Sequence, residues 1–272
     1  MPVSRAIDGT PVWRRTTRRR VLVGWFAWLL LVALVVAAWE EMTRDTIWAF
    51  VWDAPRQGAD IGARMVPPRW SYLGELLRPL WDTLAIATLG TLLALPIAVP
   101  VAVLAARNTT PSVALVRPVA LLIIVASRSI NSLIWALLLV TILGPGVLAG
   151  IVAIALRSVG FMGKLIYEAI EEIDPAPVEA MQATGASALQ VMDYGIVPQV
   201  MPAFAGITVF RWDINIRESA VVGLVGAGGI GLSLEASLNT LAWSQVSLIL
   251  LVVLATVMVS EWVSAKVRHA II

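Results

Sequence analysis

Three arginines interrupt segments of the sequence that are otherwise apolar. Arg128, Arg211 and Arg217 lie within such segments or near their ends. An arginine at the centre of a bilayer costs roughly 2.5–3.5 kcal/mol on insertion scales, so each one needs a partner or a ligand there. A guanidinium group binds phosphate-like or carboxylate anions through two parallel hydrogen bonds. The three side chains therefore favour an anionic ligand; structural ion pairs, or side chains that extend to the lipid headgroups, are the alternative.

Helical spacing sorts the polar residues around two of these arginines into a stripe and a pair. Arg211, Asn215 and Glu218 would lie on one face of a helix, where they could line a polar pathway. Asp213 lies four residues before Arg217, which is the favourable order for an ion pair within a helix. We expect the stripe to face the pathway and the pair to be internally neutral.

Arg128 is followed by two more polar residues. Asn131 and Ser132 come three and four residues after Arg128, on the same helical face, and could complete a polar lining. Hydrogen bonding between helices is the other use of such side chains. The predicted substrate pathway consists of Arg128, Asn131, Arg211, Asp213, Asn215 and Arg217.

A glycine-rich run lies downstream of this block. Residues 226–231 satisfy the dinucleotide-binding pattern G-x-G-x-x-G. That pattern requires a βαβ unit and an acidic residue about 20 positions later, whereas Glu235 comes too early. We therefore predict a non-helical or re-entrant segment that serves gating or close backbone packing. The glycines concerned are Gly226, Gly228, Gly229 and Gly231.

The residue types argue against catalysis and against a metal site. The chain contains no cysteine and one histidine, His269, in a charged tail. Neither a metal-ligand set nor a nucleophile with its base and orienting group can be assembled. The basic residues lie beside apolar segments, so membrane topology explains them better than nucleic acid does. A membrane-bound dinucleotide enzyme is the remaining enzymatic alternative.

Composition identifies the elements that must hold these residues. Hydrophobic residues make up 59% of the 272 positions and charged residues 14%, which indicates an integral membrane protein. Apolar runs of about 20 residues mark the membrane spans. The fold class is therefore all-α, with about six transmembrane helices near 21–39, 83–106, 119–143, 147–163, 200–217 and 241–260.

The distribution of lysine and arginine predicts the orientation. The tail of residues 1–20 holds six arginines, and the C-terminal tail holds Lys266 and Arg268, so both termini are expected in the cytoplasm. The same alternation puts segment 164–198 in the cytoplasm. The external loop 40–82 is tryptophan-rich and predicts an interfacial, lipid-contacting segment. A cleaved signal peptide is the alternative for the N-terminus, but the apolar core is long for one.

A polar motif lies within the predicted cytoplasmic segment. Glu179 and Ala180 are followed by Gly185, and Pro198 comes thirteen positions after that glycine. This spacing resembles the coupling motif of ABC importer permeases, in which Glu-Ala-Ala precedes a glycine and a proline at the same intervals. Met181 replaces the second alanine. The resemblance implies that an ATP-hydrolysing subunit docks at this motif.

A second block resembles phosphonate-importer permeases. Residues 210–217 read FRWDINIR and are followed by the glycine run, and residues 128–137 add to the similarity. The likeness extends over about residues 75–265, with Asn131 where the family typically has proline. The glycine run is also similar to that of methionine-importer permeases. A permease for methionine or another small solute is therefore the alternative.

The resemblance implies a transport subunit of the bacterial cytoplasmic (inner) membrane rather than an enzyme. Its implied partners are a second copy of the chain, two ATP-binding cassette subunits, an external or periplasmic solute-binding protein and membrane lipid, with no nucleic acid. ATP and Mg would be used by the partner ATPase, and this chain would carry no cofactor. Alternating access around a two-fold axis would move a phosphonate, phosphite or phosphate-like anion, which Arg128 and Arg211 would attract.

The predicted organisation has four parts. They are a cytoplasmic basic tail (1–20), the first helix with the external loop (21–82), a permease core (83–263) with a coupling helix near 177–187, and a cytoplasmic tail (264–272).

Overall fold

The computed structural model describes residues 3–5, 11–13 and 18–271. The chain divides into a small unit, Met1–Asp60, and a large unit, Ile61–Ile272. Much of the predicted basic tail, including Arg14 and Arg15, lies outside the described residues.

The small unit contains two short strands and a long apolar helix. Strands β1 (Val3–Arg5) and β2 (Pro11–Trp13) pair antiparallel. They are an addition to the predicted all-α fold. Helix α1 (Arg18–Thr43) includes the first predicted span and is long and apolar enough to cross a membrane. Helix α2 (Trp48–Met65) follows in the chain, and none of its residues is buried.

The large unit is helical throughout its described residues. After a 3₁₀ turn (Trp70–Tyr72), helix α3 (Leu73–Ala105) continues through Pro79, Pro96 and Pro100 without a break. The remaining helices are α4 (Val116–Ser129), α5 (Ser132–Leu143), α6 (Val147–Glu171), α7 (Pro175–Ala183), α8 (Ala188–Gln190), α9 (Val197–Val222), α10 (Ile230–Asn239) and α11 (Trp243–Ile271). A π-helical segment (Val191–Ile196) precedes α9, and a 3₁₀ turn (Gly223–Val225) follows it.

The spans agree with the predicted number but not with every predicted shape. Four described helices are long and apolar enough to cross a membrane, and two bent helix pairs bring the total to as many as six. The prediction of one continuous span at 119–143 is wrong, because α4 and α5 meet at 86°. The reason is Asn131, whose extended backbone and side chain cap α5 by accepting a hydrogen bond from the Leu133 amide at 3.1 Å.

Small residues let the central helices approach closely. Ala94, Ala98 and Ala102 of α3 are fully buried in a cluster that includes Met162 and Ile166 of α6. Helices in lipid associate through such close packing, because lipid tails are as apolar as the side chains. This tight contact fixes α6 against α3, and α9 packs onto both.

Candidate functional site

A buried polar network joins α3, α6 and α9. The Arg211 side chain is 1% exposed, and its Nε donates to Ser158 Oγ at 3.0 Å. The Asn215 amide nitrogen donates to Thr91 Oγ1 at 2.7 Å and to Ser158 Oγ at 3.1 Å. Because an unpaired polar group is costly where water is absent, such a satisfied network specifies one arrangement of the three helices. The predicted stripe of Arg211 and Asn215 is therefore present, enclosed within a single chain.

The carboxylate of Glu218 lies between two arginines. Its Oε2 is 3.3 Å from Arg211 Nη2, and its Oε1 is 3.6 Å from Arg157 Nε on α6. The Arg211 guanidinium also stacks 4.9 Å from the ring centroid of Phe161. The cluster thus contains two cations and one anion. Its residues project from two helices that the Ser158 hydrogen bonds hold together.

Glu218 was expected on the Arg211 stripe, but neither Glu218 nor Arg157 was among the predicted pathway residues. A signal was available, because Glu218 lies on the same stripe as Arg211 and Arg157 interrupts an apolar segment of its own. Their pairing depends on how α6 packs against α9, which the spacing within one helix does not reveal.

The predicted Asp213–Arg217 pair is present on another face of α9. Arg217 Nη2 is 2.8 Å from Asp213 Oδ2, and the other carboxylate oxygen accepts a hydrogen bond from Ser260 Oγ on α11 at 2.8 Å. Asp213 is buried. The charges balance one to one, and the hydrogen bond from Ser260 connects α11 to α9. The pair is arranged as a structural connection.

Arg128 and Asn131 lie on either side of the break between α4 and α5. The expectation that they share a helical face is wrong, because α4 ends at Ser129 and Asn131 begins the next helix. Both side chains are exposed. Arg128 occupies the last turn of α4, where the helix dipole favours a cation, and no ion pair joins it to a carboxylate among the described residues.

Ser127 anchors this break to α6. Its hydroxyl donates to the Leu156 carbonyl and accepts a hydrogen bond from the Gly160 amide at 2.9 Å. A Cβ at Gly160 would lie 2.6 Å from the Ile124 carbonyl oxygen, so only glycine allows this approach. The residues that hold Ser127 flank Arg157 in the sequence. The α4–α5 break is therefore fixed against the stretch of α6 that carries the cationic cluster.

The glycine run is non-helical at its centre, as predicted. Gly226, Gly228 and Gly229 have φ values of 87°, 83° and 73°, in the left-handed region. A Cβ at Gly229 would lie 2.6 Å from Thr83 Oγ1, and a Cβ at Gly231 would overlap the Ala220 carbonyl oxygen. These contacts account for close packing, whereas gating stays a prediction. The only strands among the described residues are β1 and β2, so this region lacks the βαβ unit of a dinucleotide site.

The coupling motif forms a short exposed helix. The Asp174 side chain caps α7 by accepting a hydrogen bond from the Ala176 amide at 3.0 Å. Glu179 and Ala180 are exposed on this helix. Gly185 terminates it with a φ of 78°, a conformation that favours glycine. None of the residues of α7 is buried, so its surface is open on the single chain.

One glutamine connects the coupling helix to α9. The Gln199 side-chain oxygen accepts a hydrogen bond from the Asp174 amide at 3.0 Å, and its nitrogen donates to the carbonyls of Asp174 and Gly195 at 3.2 and 2.7 Å. Pro198 precedes it in the first turn of α9. The start of α7 is thus held to the helix that carries Arg211. Sequence reasoning missed Gln199, since nothing in its spacing distinguishes it from a surface glutamine.

The loop between α3 and α4 is fixed to the same end of α6 from which α7 emerges. Glu171 accepts a hydrogen bond from the Arg107 amide at 2.8 Å and pairs with Arg117 at 3.2 Å. Arg107, Arg117 and the coupling segment therefore lie at one end of the helices. That this side faces the cytoplasm stays a prediction. Among the described residues, no group of three or more potential ligands could hold a metal ion.

The sequence is similar to those of known transport proteins. The phosphite transport system permease protein PtxC of Stutzerimonas stutzeri is 43% identical over 210 residues, which cover 77% of this chain and 76% of that protein. The phosphate-import permease protein PhnE of Mycolicibacterium smegmatis is 36% identical over 244 residues, or 89% of this chain and 45% of that protein. This chain thus matches less than half of the second relative.

Solved structures share the fold. A chain of the methionine ABC transporter MetNI, solved in inward-facing conformations, superimposes with a TM-score of 0.66 at 22% identity, over 75% of this chain and 99% of that one. Residues 98–269 match the family described as binding-protein-dependent transport system inner membrane component. This family is a membrane component of transport systems and not a class of enzymes. The matched residues include the coupling motif, the cationic cluster and the glycine run, and the chain belongs to this family of multi-pass inner-membrane transport components.

Proposed function

We propose that the chain is the transmembrane permease subunit of an ATP-driven importer for phosphonate, phosphite or phosphate-like anions. The observation that carries the proposal is its 43% identity over 210 residues to a phosphite transport system permease. The segment responsible for the cargo is the part of α6 and α9 where two arginines face one glutamate. An excess of positive charge in an enclosed site favours an anion as cargo.

The pathway in this proposal has an enclosed part and an exposed part. Arg211 and Asn215 belong to the enclosed network, where they hold the helices in register. Arg128, Asn131 and Arg217 are exposed on the single chain and can meet a solute directly. Asp213 neutralises Arg217 and positions it. An anion would therefore meet Arg128 as a cation without a competing carboxylate.

The proposed assembly contains two copies of the chain, two ATP-binding cassette subunits and an external solute-binding protein. No internal repeat is recognisable in the sequence, so a two-fold pathway would require a second copy of the chain. The exposed helix α7 is the proposed docking site for the ATPase, which would bind ATP and Mg while this chain holds no cofactor. Movement of α7 would reach α9 through Gln199 and alternate the access to the pathway.

A methionine permease is the second candidate. The structural similarity to a methionine transporter supports it, but at 22% identity that similarity establishes only the fold. A zwitterionic amino acid also carries no excess negative charge to match the cationic cluster. The phosphorus anion is therefore the better-supported cargo.

The ligand of the cognate binding protein tests this choice. We expect the purified binding protein encoded beside this chain to bind phosphite, phosphate or a simple alkylphosphonate in calorimetric titrations and to ignore methionine. Binding of methionine, with no response to any of the phosphorus anions, would reverse the assignment.

A further inference from the structure

We propose that, in the substrate-free chain, the Glu218 carboxylate occupies a binding site for a tetrahedral phosphorus oxyanion between Arg157 and Arg211. The anion would displace this carboxylate during transport. The inference rests on the proposed function and adds to it two residues, Arg157 and Glu218, and a direct competition between an internal and an external anion.

The Glu218 carboxylate bridges the guanidinium groups of Arg157 and Arg211. Each oxygen of Glu218 faces a different guanidinium group, at 3.3 Å for Arg211 and 3.6 Å for Arg157. Two oxygens of a phosphonate or phosphate group can take the same two positions. A third oxygen would remain to hydrogen-bond one more donor. The site therefore fits an oxyanion at least as well as it fits the carboxylate.

Arg211 and Arg157 bind the Glu218 carboxylate unequally. Arg211 is fixed on three sides by Ser158, Phe161 and Glu218. Arg157 approaches Glu218 only as an ion pair, at a distance beyond a normal hydrogen bond. The internal anion thus satisfies one arginine and leaves the other incompletely bound. A larger anion could accept the missing hydrogen bond from Arg157 without moving Arg211.

A solute can reach the site between Arg157 and Arg211 from one side of the single chain. The side chains of Arg157 and Glu218 are 28% and 17% exposed, whereas Arg211 is 1% exposed. One side of the site is therefore open on the single chain, and the buried arginine forms its floor. Glu218 can swing outwards without breaking the hydrogen bond from Arg211 to Ser158.

The neighbouring Asp213–Arg217 pair differs from the Glu218 cluster in its charge balance. Asp213 and Arg217 are matched one to one, and Ser260 satisfies the second oxygen of the carboxylate. Displacing Asp213 would leave Arg217 without its carboxylate and break the hydrogen bond from Ser260. The Glu218 cluster carries a surplus cation instead, so replacing the carboxylate with a dianion improves its charge balance.

Thermal unfolding of the full-length chain in lipid nanodiscs tests the inference, with inorganic phosphate as the probe. Glu218→Gln leaves the buried Arg211 and the partly buried Arg157 without their carboxylate, so its Tm should fall by about 5 °C or more in chloride buffer. Millimolar phosphate should restore at least about half of that loss, because it binds the folded state only. The wild-type Tm should respond much less, since Glu218 already fills the site.

Three further variants test whether the phosphate rescue depends on Glu218 and on both arginines. Glu168→Gln removes the carboxylate of an exposed ion pair on α6, the helix that carries Arg157, and should show no phosphate rescue. Glu218→Gln combined with Arg157→Gln should lose the rescue, because only one cation remains. Glu218→Asp keeps the charge but is too short to bridge both arginines, so it should fold and show an intermediate response.

Phosphate at the same ionic strength as the chloride control separates binding from screening. If Glu218→Gln can be purified in folded form in phosphate buffer but not in chloride buffer, that result would support the site. Equal Tm values for Glu218→Gln in phosphate and chloride, with Glu218→Asp equally unresponsive, would overturn it.

Wild-type uptake in reconstituted vesicles separates this inference from the proposed function. Phosphorus-anion uptake without phosphate rescue of the variants would overturn the displaced-carboxylate site and leave the function standing. Rescue without such uptake would retain the oxyanion site and reject the cargo assignment.

Discussion

Individual charges on this chain differ mainly in whether another protein group already neutralises them. Arg211 is enclosed and bound on several sides, and Arg217 has its own carboxylate. Arg128 is exposed at the end of α4 and has no ion pair among the described residues. Because an unpaired cation attracts an anion most strongly, Arg128 should make the first contact with the cargo.

Replacing Arg128 with glutamine tests this at the residue scale. A hydrogen bond to a charged group contributes about 1.5–3 kcal/mol, so Arg128→Gln should lower the uptake rate at limiting substrate by about tenfold or more. Uptake and substrate-stimulated ATP hydrolysis in proteoliposomes provide the measurement. Arg78→Gln, which removes an arginine from a pair with Asp82 on the surface, is the control. Unchanged uptake in an assembled Arg128→Gln complex would exclude the role.

Local spacing was sufficient for some of the site residues. The Asp213–Arg217 pair and the Arg211–Asn215 stripe follow from helical periodicity, and the structure contains both. The bridge from Arg157 to Glu218 joins two helices, so its formation depends on their packing. Asn131 was misplaced because an asparagine can cap a helix as well as line one.

Helices and their connections determine how a signal could travel from the coupling motif to the cationic cluster. Asp174, Gln199 and Gly195 form one hydrogen-bonded joint between α7 and α9. Arg211 lies on the same helix as Gln199, about three turns further on. A displacement of α7 should therefore move α9 as a unit.

Removing the joint tests this connection at the element scale. Gln199→Ala deletes three hydrogen bonds, each worth about 0.5–1.5 kcal/mol, and should lower the solute transported per ATP hydrolysed by about threefold or more. The ATPase should still co-purify, because the exposed surface of α7 is unchanged. Gln57→Ala, at an exposed glutamine that donates a hydrogen bond to Asp53, serves as the control. An unchanged transport ratio would contradict the coupling route.

The boundaries of elements were harder to predict than their number. Apolar runs indicated about six spans, and the structure supplies up to six. The bend of 86° between α4 and α5 was not predicted, because the apolar composition continues across it. The non-helical glycine segment was predicted, since consecutive glycines rarely continue a helix.

At the scale of the molecule, the large unit contains both the proposed coupling end and the proposed cargo region. The exposed helix α7 lies at the end of α6 where Glu171 fixes the α3–α4 loop, and the arginine cluster lies between α6 and α9. The membrane class and fold could be predicted from composition, since 59% hydrophobic residues require lipid around them. Cargo identity could not be derived from composition, because it depends on a few charges brought together by packing.

ATP-dependent uptake tests the central claim most directly. Proteoliposomes should contain the chain with its cognate ATPase, and the cognate binding protein should be added outside. The account predicts that labelled phosphite, phosphate or methylphosphonate accumulates only when ATP is hydrolysed, and that methionine does not. Accumulation of methionine, with none of the phosphorus anions transported, would contradict it.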